Sequence, residues 1–116
     1  MTRIMVVVDD DALRDAIARA LGPAGLWIEQ AADGRQALER LEELDRDGDL
    51  PKLMLLDWDK LRSDCAVVVS VVRSSYPWMV LVAISADLRR IPLVDGALVK
   101  PMRLPVLVSV VLELTA

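Results

Sequence analysis

A chain of 116 residues is the size of one domain, and with 54% hydrophobic residues it carries too much apolar surface to remain disordered. Its net charge is −4, with Lys and Arg scattered along the chain, which leaves no basic face for direct contact with nucleic acid. The absence of His excludes a zinc site, a Ser-His-Asp triad and a histidine phosphocarrier, while the single Cys65 excludes an intrachain disulfide and suits a reducing cytoplasm.

Residues 4–8 form an unbroken apolar run rich in β-branched side chains, which predicts a strand buried on both faces. The run is too short for a signal-peptide core and leads straight into Asp9, Asp10 and Asp11. Asp11 is placed to cap a helix in which Leu13, Ile17, Ala20 and Leu21 recur at helical spacing until Gly22 and Pro23 stop it. Residues 26–31 predict a second strand. Asp33 and Gly34 open a helix with Ala37, Leu38, Leu41 and Leu44 on one face, and the polar residues 45–49 predict a loop. Residues 53–56 predict a third buried strand. The Val-rich stretch 66–75 suits either element, and is read as a helix because another strand follows at residues 79–84, after Tyr76 and Pro77. Residues 97–99 make the fifth strand and residues 104–114 the last helix, with Pro105 tolerated in its first turn. That last run is far below the roughly 20 residues needed to cross a bilayer, so a soluble, cytoplasmic chain without membrane contact is expected. Aromatic residues are only 3%, so the core must be aliphatic.

Alternating strands and helices, with strands that read as continuous apolar runs, predict an α/β fold: a doubly wound, five-stranded parallel sheet covered by helices on both sides. One domain spanning residues 1–116 is expected, with no second domain in cis. In a parallel sheet every strand points the same way. Asp9 and Asp10 after the first strand, Asp57 after the third, Ser85 after the fourth and Lys100 after the fifth therefore emerge at one carboxyl edge, where such sheets bind ligands. Taken singly, each has a plainer role as a helix cap, turn residue or surface charge, and Cys65 reads as a small buried side chain. Together they suit phosphoryl transfer. Carboxylates hold Mg²⁺, another carboxylate attacks phosphorus, and Lys and Ser stabilise the transferring group.

The pieces Val6-Val7-Val8-Asp9-Asp10, Leu55-Leu56-Asp57, Ile84-Ser85-Ala86 and Leu98-Val99-Lys100-Pro101 resemble the receiver domains of two-component response regulators, chemotaxis receivers among them. The resemblance covers essentially the whole chain. It implies a sheet order of 2-1-3-4-5 and a cis bond before Pro101. It also implies that Asp57 is the phosphoacceptor, that Ser85 and Lys100 contact the phosphoryl group, and that Mg²⁺ is held by Asp9, Asp10, Asp57 and the backbone carbonyl of Asp59. The chain departs from the family pattern in several places. Lys60 and Leu61 stand where Met-Pro is usual and Cys65 where Gly is usual, although Asp64 fits. Ala97 stands in place of the switch aromatic. Residues 86–99 leave room only for a fourth helix shortened to about one turn, around residues 88–91 before Pro92. An ungapped comparison puts Val8 and Asp9, rather than Asp9 and Asp10, at the acidic pair.

Three functions compete. The first is a stand-alone receiver in a phosphorelay, phosphorylated by a sensor histidine kinase or phosphotransfer protein and signalling to an output protein through protein–protein contacts; it is a signalling protein rather than an enzyme. The second is a degenerate receiver acting as a phosphorylation-independent interaction module, which Ala97 and the shortened fourth helix favour. The third is a phosphatase of the haloacid-dehalogenase type, suggested by Asp57-Trp58-Asp59, but its motif order is reversed here. The last helix carries more apolar residues than one buried stripe needs, so a homodimer or a docked partner on that helix is expected.

Overall fold

Five short aliphatic runs pair into one parallel sheet: β1 Arg3–Val7, β2 Trp27–Ala31, β3 Leu53–Asp57, β4 Val80–Ser85 and β5 Gly96–Val99. They come from a computed structural model that describes residues 1–60, 62–89, 91 and 94–116. The strand order is β2-β1-β3-β4-β5, the doubly wound order expected. The helices are α1 Asp11–Leu21, α2 Gly34–Asp47, α3 Arg62–Ser75 and α4 Leu104–Thr115.

Successive strand residues point to opposite faces, and each face has its own core. Met5, Val7, Met54, Leu56, Leu81 and Ala83 pack beneath α2 and α3, against Leu41, Leu44, Val68 and Val72. Ile4, Val6, Val8, Leu53, Leu55, Val82 and Ile84 pack beneath α1 and α4, against Ile17, Leu21, Leu107 and Val111. Because helices cover both faces, β3 is buried along its whole length, which is why its sequence shows no polar alternation before Asp57.

Several boundaries differ from the sequence reading for identifiable reasons. Asp10, not Asp11, caps α1: its side chain accepts the Leu13 N–H at 3.0 Å. The polar stretch 45–49 is not wholly a loop, because α2 continues to Asp47 and ends only where Gly48 adopts a left-handed φ of 74°. There the N–H of Gly48 bonds to Asp45 O and that of Asp49 to Leu44 O, satisfying the last carbonyls. Gly34 starts α2 against α3, and a Cβ there would lie 2.8 Å from Asp64 Cβ, so only glycine allows this approach.

Between β4 and β5 the described residues form a turn at Arg89 and no helix; Leu88 and Ile91 are non-helical. The single helical turn expected around residues 88–91 also involves Arg90, which lies outside the described residues, as do Leu61, Pro92 and Leu93. The segment is drawn back to the sheet by Asp95. Its N–H bonds to Leu81 O at 2.8 Å, and its Oδ2 accepts from Leu81 N at 2.8 Å and from Arg73 at 3.0 Å. The Lys100–Pro101 peptide bond is cis. Among the described residues no helix is long and apolar enough to cross a membrane.

Candidate functional site

β3 lies between β1 and β4, so its last residue emerges in the middle of the carboxyl edge. That residue is Asp57, 2% exposed. A carboxylate buried this deeply needs partners. Lys100 supplies them: it follows β5, its backbone N–H bonds to Ser85 O, and its Nζ lies 3.0 Å from both Asp57 oxygens. Burial pulls the Lys100 ammonium down, but its bonds to Asp57 and Asp59 outweigh this and raise it above its ordinary value. The N–H of Asp59 donates to Asp57 Oδ1 at 3.2 Å, and Cys65 Sγ sits 3.4 Å from Asp57 O. Burial, reinforced by the charges of Asp57 and Asp64, pushes the Cys65 thiol up to about 12, so it is no nucleophile at neutral pH.

Ser85 ends β4 beside Asp57, and it engages Asp59 rather than Asp57. Its Oγ donates a short hydrogen bond to Asp59 Oδ1, and the Ala86 N–H donates to Asp59 Oδ1 and Oδ2 at 3.2 and 3.1 Å. Lys100 Nζ is 3.2 Å from Asp59 Oδ2. The Ser85 hydrogen bond, followed by those of Ala86 and Lys100, outweighs burial and holds the Asp59 carboxyl below the usual carboxylate range. Outside the Asp-x-Asp motif of the phosphatase reading, sequence reasoning gave Asp59 only a backbone carbonyl, and it gave the Ala86 amide no role. The Asp-x-Asp spacing at residues 57–59 was the available signal, since it puts a second carboxylate just past the strand end.

Solved structures share this arrangement of strands. The chemotaxis protein CheY4 of Vibrio cholerae superposes with a TM-score of 0.84 at 22% identity, covering 98% of each chain. The CheY-like receiver domain protein of Methanospirillum hungatei gives 0.80 at 22% identity, covering 97% of this chain and 92% of that one. The receiver domain of NtrX from Brucella abortus gives 0.75 at 24% identity, covering 96% of each. In sequence, 97 residues are 34% identical to the response regulator MprA of Mycolicibacterium vanbaalenii, spanning 81% of this chain and 40% of that protein. The chain therefore spans about two-fifths of the length of the curated relative it matches. No family model matches it. The fold is that of a response-regulator receiver domain.

Against the family pattern that the sequence resembles, the first acidic position is unusual here. β1 pairs with β3 in the register Val7↔Leu56, so the next residue, Val8, comes level with Asp57. Val8 is fully buried in the apolar core under α1 and α4. Asp9 follows it, and Asp10 is exposed at the cap of α1, where the Leu13 N–H, with smaller contributions from Ala12, Lys60 and Arg14, lowers its carboxyl pKa against the opposing effect of desolvation.

The expected magnesium ligands are Asp9, Asp10, Asp57 and the backbone carbonyl of Asp59. Among the described residues no three acidic or cysteine side chains cluster closely enough to hold an ion. Asp10 is used as a helix cap, and the Asp57 and Asp59 carboxylates face Lys100. One observation does fit a cation. Among the described residues Asp9 Oδ1 is buried without a hydrogen-bond partner, a state that a metal ion would relieve. Asp64, which fits the family pattern, accepts the Gly34 N–H at 3.1 Å and so ties α3 to the start of α2.

Proposed function

We propose that residues 1–116 form one receiver domain that accepts a phosphoryl group on Asp57 from a sensor histidine kinase or phosphotransfer protein. The observation that carries this reading is the buried Asp57 carboxylate held by Lys100 at 3.0 Å to each oxygen, beside the Ser85 hydroxyl and the Ala86 amide. An Asp57 oxygen attacks phosphorus, a carboxylate–phosphorus bond forms, and the phosphorus–nitrogen bond of the donor imidazole breaks as that imidazole leaves. Lys100 offsets the charge gathering on the phosphoryl oxygens, and Ser85 and Ala86 donate hydrogen bonds to them. Asp9, Asp57 and the Asp59 carbonyl are the residues that would hold Mg²⁺, whose chemistry is to neutralise charge on the transferring group. Acetyl phosphate tests the assignment. The wild type should gain the mass of one phosphoryl group and Asp57→Asn none; undiminished labelling of the mutant would exclude Asp57.

A second reading, a phosphorylation-independent interaction module, is favoured by a different observation. Ala97 has no ring to swing inward, while α4 leaves Val106 49% and Leu112 40% exposed. Output through apolar contacts on α4, to a partner protein or a second copy, needs no moving aromatic residue. Failure of the wild type to label with acetyl phosphate would favour this reading over the first.

A further inference from the structure

Three donors stand at the carboxyl edge near Asp57: the Lys100 ammonium, bonded to its carboxylate, and, at and just after the end of the neighbouring strand β4, the Ser85 hydroxyl and the Ala86 N–H. In the phosphotransfer reading, on which the present inference rests, they receive the oxygens of the phosphoryl group. Here they already hold an anion. Asp59 Oδ1 accepts from Ser85 Oγ and from Ala86 N at 3.2 Å, while Asp59 Oδ2 accepts from Ala86 N at 3.1 Å and lies 3.2 Å from Lys100 Nζ. Both carboxylate oxygens are therefore engaged, and by all three donors.

We propose that Asp59 is a built-in competing anion, seated in the receptor for phosphoryl oxygens and displaced when a phosphoryl group enters. Its tether makes it an effective competitor. Asp59 is two residues from Asp57, and its own N–H is bonded to Asp57 Oδ1 at 3.2 Å, so the carboxylate is never far from the donors. A tethered ligand of this kind acts at an effective concentration on the order of millimolar or above, and an untethered anion must overcome it. The contact has a second consequence. Ser85 is already drawn to an anion beside Asp57 before phosphorylation, so phosphorylation has less of this loop left to rearrange. The domain therefore accepts phosphate slowly and changes little when it does.

Inorganic phosphate, followed through the Ala86 amide by NMR, probes the receptor without needing covalent chemistry at Asp57. The wild type should show no saturable shift, whereas Asp59→Ala should show one. Asp59→Asn, which keeps the size of the side chain, should lie between them and guards against a folding defect in the first variant. Asp87→Asn removes an equal charge from the next loop residue but leaves the donors engaged, and should behave like the wild type. Equal responses in wild type and Asp59→Ala, or an equal gain in Asp87→Asn, would overturn the proposal. In parallel, acetyl phosphate should label Asp59→Ala about tenfold faster than wild type, the factor for one charge-assisted contact of about 1.4 kcal/mol. If phosphate shifts Ala86 in Asp59→Ala but neither protein is labelled, the receptor stands and the assignment of Asp57 as acceptor falls.

Discussion

Lys100 Nζ lies 3.0 Å from each oxygen of Asp57, although the two residues are 43 positions apart in the chain. The cation arrives at the end of β5 and the anion at the end of β3, with β4 between them. Their meeting is a property of the sheet.

The pair should reveal itself in stability. Lys100→Met keeps the aliphatic stem but leaves Asp57 as a buried, unpaired charge, and a loss of about 2 kcal/mol is expected. That is below the cost of breaking a fully enclosed pair, because Lys100 is 27% exposed. Asp57→Asn removes the buried charge itself and should cost less than about 1 kcal/mol. Urea unfolding of both variants checks this, and a larger loss in Asp57→Asn would contradict it.

The metal site makes a separate prediction. Trp58 is 2% exposed and adjoins Asp57, while Trp27 and Trp78 are 51% and 55% exposed, so a Mg²⁺-dependent change in buried tryptophan emission reports on Trp58. Asp9→Ala should weaken the apparent Mg²⁺ affinity by about tenfold or more. Asp10→Ala should leave it unchanged while lowering the urea midpoint through the lost cap. A Mg²⁺ titration that responds to Asp10 and ignores Asp9 would assign the ligand role to Asp10 instead.

Acid stability should depend on Glu29 in β2. Arg40 bonds to both its oxygens, at 2.9 and 3.0 Å, and Arg3 adds a bond at 2.7 Å. The Arg40 hydrogen bonds lead, Arg3 adds to them, and together they outweigh burial to lower the Glu29 pKa below its unfolded value. A depressed folded pKa means that the native state resists protonation. The stabilisation is therefore complete above the ordinary glutamate range and is lost as pH falls through the folded value. Chemical unfolding from pH 7 down into that range should show a steeper loss for wild type than for Glu29→Gln. Parallel curves would mean that the ion pairs contribute nothing.

Self-association should depend on the exposed residues of α4. Leu107, Val111 and Thr115 recur every four residues and are buried, so Val111→Glu should unfold the domain. Val106→Glu and Leu112→Glu alter exposed positions and should leave it folded. Sedimentation is expected to show association in the wild type that weakens in the Val106→Glu, Leu112→Glu pair, with little change on adding beryllofluoride. A wild type that is monomeric until beryllofluoride is added would instead show an intact phosphorylation switch.

The fold was legible because its physics is local. Strands buried on both faces must be apolar throughout, so the runs around Val6, Leu55 and Val82 announced themselves, and the helices between them showed their periodicity in Ala37, Leu41 and Leu44. The end of β1 was not legible. Val8, Asp9 and Asp10 are consecutive, successive residues alternate between faces, and only pairing with β3 decides which of them comes level with Asp57. No local preference in the sequence distinguishes Asp10 as a ligand from Asp10 as a cap.

By itself, then, the sequence determined the alternating elements, the aliphatic core, and the presence of Asp57, Ser85 and Lys100 at strand ends that share one edge. Tertiary structure alone decided which carboxylates meet which donors. Asp59 reaches Ser85, Ala86 and Lys100 because the loops after β3, β4 and β5 converge at that edge. Such contacts join residues far apart in the chain, and their partners are fixed by sheet register and loop path rather than by any neighbouring residue.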